Sequence, residues 1–182
     1  MLIPEGKAVL TKEFLLNTPR ELRQQEIFYH IWDHKIDKNF LEQFEEASKL
    51  TEGHQMIFIL WHLQGEVNNG GYYQYFDNFE NCNQIKQPYY NLTIDWLKKI
   101  GCVDLSNDYS RFLQIYRKCE ELKRDGKCID MCDKCNRCSR FDEEIEKLDN
   151  GFYENESIFI QAIDDYIDAN LDDFVSSSDA PL

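Results

Sequence analysis

The octet Met56–Leu63 (MIFILWHL) is apolar on every side of a helical wheel except at His62. A surface helix needs only one apolar stripe, so a helix that is apolar all round must be enclosed by other elements. Thr51 stands where an N-cap belongs, and Asn68-Asn69-Gly70-Gly71 supplies residues that tolerate a left-handed turn. The octet therefore predicts a central, buried helix over 52–67, with the rest of the chain wrapped around it.

The wrapping is also punctuated as helices. Thr18-Pro19-Arg20-Glu21 reads as a capping box, with Thr18 as N-cap, Pro19 at the first helical position and Glu21 reaching back. That helix should run to about Asp33, with Leu22, Ile27, Phe28, Ile31 and Trp32 inward. A second is expected over 38–49 on the stripe Phe40, Leu41, Phe44 and Ala47. Pro88 opens another, stopped by Gly101, and Tyr109–Lys123 is amphipathic through Phe112, Ile115, Tyr116 and Cys119. Two more are expected over 141–148 and 157–171. No strand alternation is visible. The predicted fold is all-α, an irregular bundle of seven or eight helices. One domain spans 1–175, with a cysteine-rich loop inserted at 126–140, an acidic region over 141–175 and a flexible tail over 176–182.

Charge is unevenly spread. The chain carries 34 acidic and 20 basic residues, a net of −14. From Phe141 to Leu182 there are 13 acids and one base, Lys147, hence −12 in 42 residues. Such a surface repels nucleic acid and anionic membranes, so neither is an expected direct partner. In the last expected helix Asp165, Asp168 and Asp172 fall at i, i+3 and i+7, with Asp164 beside them. Neighbours of this kind lie about 5–6 Å apart, and duplex DNA presents one charge per ~3.4 Å of each strand. Asp142, Glu143 and Glu146 add carboxylates upstream. The functional reading is an acidic surface that docks on a basic protein; the bland reading is a solvated helix face.

The run Gly65–Asn78 (GEVNNGGYYQYFDN) carries a second constellation. Glu66, Asn68, Asn69, Gly70, Gly71, Gln74 and Asn78 combine polar side chains with a turn. The Glu66 carboxylate is placed to accept amides freed by that turn, and Gln74 and Asn78 share one side of a short helix. A hydrogen-bond knot that fixes two helices is the structural reading, and a polar pocket beside aromatics is the functional one. His62 and Glu66, four apart, also fit a two-ligand metal pair.

This run resembles the signature of the DNA-mimic protein family, small acidic all-α bacterial domains. The resemblance continues through Leu97–Gly101, Leu148–Ser157 (LDNGFYENES) and Ile163–Phe174 (IDDYIDANLDDF), and covers about Gln55 to Phe174. It implies the all-α fold. It also implies an acidic protein, dimeric in the family's characterised member, that occupies the DNA-binding surface of a transcription regulator. The expected partner is accordingly a basic protein such as a DNA-binding regulator or a nuclease, and a homodimer is compatible with the same resemblance.

Cys128, Cys132, Cys135 and Cys138 form C-x3-C-x2-C-x2-C within eleven residues and are no part of that family pattern. Zinc takes four thiolates in a tetrahedron, and pairs spaced by two to four residues supply them. Structural zinc is thus the metal expectation, against an iron–sulfur cluster or plain thiols. Seven bases, from Lys118 to Arg140, surround the loop, so a metal-bound finger that touches nucleic acid or senses redox state is the alternative function. Seven cysteines and no leader-like segment point to the reducing cytoplasm. No P-loop, GxGxxG, GxSxG or HExxH occurs, and the expectation is that the chain is not an enzyme.

Overall fold

The computed structural model describes residues 10–35, 47, 49–78, 86–127 and 139–175. Among them are six α-helices and two 3-10 turns, and no strand: α1 Lys12–Asn17, α2 Arg20–His34, α3 Glu52–Asn78, α4 Lys86–Lys99, α5 Val103–Arg124 and α6 Asp142–Ala169, with 3-10 turns at Ser139–Phe141 and Leu171–Asp173. The all-α expectation holds. The helix expected over 38–49 lies outside the described residues, apart from the helical, buried Ala47. The cysteine-rich insertion and the 176–182 tail also lie outside them.

The central helix is where the octet placed it. α3 packs against α2, α4, α5 and α6, and Met56, Ile57, Phe58, Ile59, Leu60 and Leu63 are all buried. Downstream, Tyr72, Tyr75 and Phe76 extend it into an aromatic core with Tyr109, Phe112 and Phe152. Phe76 stacks on Phe112 at 5.0 Å, and Tyr72 does so at 5.4 Å.

Local stop signals behave as written. Gly101 adopts φ 86° and Gly126 φ 66°. At each, paired bonds close the helix: Cys102 N donates to Leu97 O and Gly101 N to Lys98 O, while Lys127 N donates to Leu122 O and Gly126 N to Lys123 O. This is the Schellman pattern that a left-handed glycine permits.

Four expectations are corrected. Leu22, expected inward, is exposed near the start of α2, where Gln24 takes the inner position. Thr18 does not cap α2. Its hydroxyl donates to Phe14 O at 2.8 Å and so closes α1, and Pro19 takes the N-cap position without a side-chain bond. α5 begins at Val103, six residues before Tyr109, because Leu105 and Ser106 are already buried on its inner face. Most consequentially, the acidic region holds one 28-residue helix instead of two. Asn150 and Gly151 are helical because Ile145, Leu148, Phe152 and Phe159 keep a buried stripe running through them. Gly151 is also where the Asp108 carboxylate of α5 closes on the α6 backbone.

Candidate functional site

The expected turn in Gly65–Asn78 is present as a break inside α3. Helix geometry runs to Asn69, is lost at Gly70 and Gly71, and resumes at Tyr72. Gly71 has φ 76° and ψ −179°, a conformation open in practice only to glycine. A Cβ there would overlap the carboxylate of Asp149, which sits directly over the break.

Such a break frees amides on one side and carbonyls on the other. The amide of Tyr72 is accepted by Asp149 Oδ1 at 2.8 Å, and the carbonyl of Val67 is taken by the hydroxyl of Tyr153 at 3.0 Å. Both partners come from α6. A third α6 residue, Glu156, accepts from Gln64 Nε2 at 3.0 Å and from Asn68 Nδ2 at 2.5 Å. Glu66 does not receive the freed amides. Its Oε2 accepts two side-chain amides, Gln74 Nε2 at 3.2 Å and Asn78 Nδ2 at 2.6 Å. Gln74 and Asn78 do share a side, as their spacing implied. The carboxamide of Gln74 folds back over Gly70. Glu66 is half-buried, while Asn68, Asn69 and Gly70 are exposed. The arrangement is a hydrogen-bond knot that locks the break of α3 against α6.

Of the His62–Glu66 pair, the Oε2 of Glu66 is taken up by Gln74 and Asn78, and His62 lies among aromatic rings. His62 packs edge-on against Phe58 at 4.6 Å and Phe28 at 5.4 Å, and burial lowers its pKa to about 4. Among the described residues no group of three His, Cys, Asp or Glu side chains is arranged to hold a metal ion. Cys128, Cys132, Cys135 and Cys138 lie outside the described residues.

The expected acidic row has a different environment from the one its sequence implied. Asp164 is buried, 7% exposed, and its Oδ1 accepts from Gln24 Nε2 at 2.7 Å. Burial pushes its carboxyl pKa up. Asp165 and Asp168 are bridged by Arg20, through Nη2 to Asp165 and Nε to Asp168. Arg23 Nη1 reaches Asp168 at 2.5 Å, and Lys12 Nζ reaches Asp172 at 2.7 Å. The Arg20 hydrogen bond holds the Asp165 carboxyl below its usual range. Asp172 lies beyond α6, in the final 3-10 turn.

The upstream carboxylates differ. Asp142 is half-buried at the first residue of α6. Glu144, a member of the same upstream acidic cluster in sequence, is paired with Arg111 of α5 at 2.6 Å. Glu143, Glu146 and Glu154 are exposed and make no ion pair among the described residues. Glu143 and Glu154, eleven residues apart, return to one azimuth after three turns, roughly 16 Å along the axis. Sequence reasoning found Glu143 and Glu146 but not the structural use of Asp149, Tyr153 and Glu156. The only local signal for those three was their place in the LDNGFYENES run.

Among the described residues no helix is long and apolar enough to cross a membrane. The sequence model of a family described as DMP19-like protein matches residues 48–170, more than half of the chain. No curated protein and no solved structure matches.

Proposed function

Because the chain belongs to the DMP19-like protein family, we propose that it is an acidic protein of the DNA-mimic type. It binds a basic DNA-binding protein, a regulator or a nuclease, and blocks that protein's nucleic-acid surface. The observation that carries this reading is the excess of 13 acids over one base from Phe141 to Leu182. It is supported by the exposed carboxylates Glu143, Glu146 and Glu154 on one side of α6, which make no ion pair among the described residues. Like charges held together raise the energy of the free protein and lower it on docking to a basic groove-reader, which gains contacts in place of phosphates.

On this reading the chain is a binder and not an enzyme, and it acts in the cytoplasm. Capture from a lysate of the source organism at low and at high salt tests it. The expected captured chain is basic, is released as salt rises, and stops shifting DNA when this protein is added. Capture of non-basic chains, or capture indifferent to salt, removes the reading.

The cysteine spacing carries a second proposal: one zinc per chain on Cys128, Cys132, Cys135 and Cys138. Thiolate–metal bonds would order a loop whose only large apolar side chains are Ile129 and Met131. Metal analysis of protein purified without chelator should give about one zinc per chain. A value near zero with four titratable thiols removes the site, and absence of any gel shift with generic nucleic acid removes a nucleic-acid role for the loop.

A further inference from the structure

Three cations of the N-terminal helices sit on the carboxylates that the sequence offered as the mimic row. Arg20 and Arg23 are three apart on α2, and so are Asp165 and Asp168 on α6. The two helices therefore meet with matched spacing. Arg20 forks across both carboxylates and Arg23 adds a second contact to Asp168. Lys12 of α1 pairs with Asp172, whose side chain stays 79% exposed. These partners are 145 to 160 residues apart in sequence, so the contact is made by the fold and not by helix neighbours. Arginine laid over a row of evenly spaced anions is also how a protein reads a phosphate backbone.

We propose that Arg20, Arg23 and Lys12 are an autoinhibitory counter-charge that neutralises the Asp165–Asp168–Asp172 row in cis and so weakens its attraction for basic partners. A competitor gains the row by displacing side chains alone. α2 itself stays fixed by buried Ile27, Phe28 and Ile31; the Lys12 and Arg20 side chains retain 49% and 35% exposure, while Arg23 is 14% exposed and also donates to Thr18 O, so Lys12 and Arg20 are the ones displaced first. The proposal rests on the reading of this chain as a binder of basic proteins, and its test does not use that partner.

The test is the affinity of a nine-arginine peptide, followed by fluorescence anisotropy at low salt. The variant is K12A/R20A/R23A. Removing three cations raises the net negative charge wherever they lie, so the control is K98A/R117A/R124A, which lies outside α6. Those three side chains are exposed and form no ion pair among the described residues. If the row is neutralised in cis, K12A/R20A/R23A binds at least about tenfold more tightly than the control, and adding D165N/D168N abolishes the difference. Equal affinities for variant and control overturn the proposal, as does a gain that survives D165N/D168N or an absence of binding by every form. Helical content by circular dichroism accompanies each variant, and R20Q alone, which keeps the buried face of α2 intact, should give a smaller gain of the same sign. Failure of lysate capture with this result intact would remove the proposed partner and leave the neutralised row standing.

Discussion

α6 and the 3-10 turn after it carry their acids in two groups, a first half up to Glu156 and a second from Asp164 to Asp173, and the two halves do different things with them. In the first half, Asp149 and Glu156 serve the break in α3, and Glu144 meets Arg111. Glu143, Glu146 and Glu154 face outward without a cation among the described residues. In the second half, Asp164 is buried on Gln24, and Asp165, Asp168 and Asp172 are paired with Arg20, Arg23 and Lys12. The first half carries seven acids and the second five. What separates them is the neighbour: α3 brings bare backbone groups to the first half, and α1 and α2 bring cations to the second. Density of like charge along a helix therefore says little about which charges a partner can reach.

The largest effect that would sharpen this contrast is at the break. Gly71→Ala combines a positive-φ alanine with overlap onto Asp149. It should cost about 3 kcal/mol or more in chemical denaturation. A cost near zero would mean that the break is not locked by α6.

The second half is anchored from behind by Phe174, which is fully buried and lies edge-on to His54 at 6.1 Å. His54 is held neutral. Burial first, then Lys35 and His30, lower its pKa from 6.5 to about 4. The unfolded chain therefore takes up a proton at higher pH than the folded one. Stability is full above about pH 6.5 and falls as pH drops from there to about 4, by roughly 3 kcal/mol at most. Denaturation curves across that window, compared with His54→Gln, check this; a slope unchanged by the substitution would contradict it.

Asp149→Ala should cost about 2 kcal/mol, because it leaves the Tyr72 backbone amide without its acceptor. Glu66→Ala should cost about 1 kcal/mol, since Glu66 holds only side-chain amides and Asn78 is exposed to water. The order of the two is the informative point. If Glu66→Ala proves the costlier, the freed amides are not where the knot draws its strength. The smallest effect is at the paired row: Arg23→Ala should cost about 1 kcal/mol or less, and less still at high salt.

The sequence was readable where structure is decided locally. Gly101 and Gly126 end helices because a left-handed glycine closes the last turn with its own neighbours, and Met56–Leu63 declares its burial by lacking a polar side. It was misleading where a distant element intervenes. Thr18 has the right type for an N-cap, yet its hydroxyl is claimed by the helix before it. LDNG reads as a break, yet the buried stripe on either side carries the helix through. Glu66 looked like the acceptor for the freed amides, but Asp149, 77 residues beyond Tyr72, reaches them first. The Asp165–Asp172 row looked bare because its cations lie at the opposite end of the chain.

The central claim is that a basic partner meets the first half of α6 and not the second. The most direct measurement is lysate capture by two variants of equal charge change, E143Q/E146Q/E154Q and D165N/D168N/D172N, with captured protein quantified against the unmodified chain at low salt. The first variant should lose most of its basic captured chain, and the second should keep it. Loss confined to the second variant would contradict that claim, and would return the row beside Arg20 and Arg23 to the role that its sequence first offered.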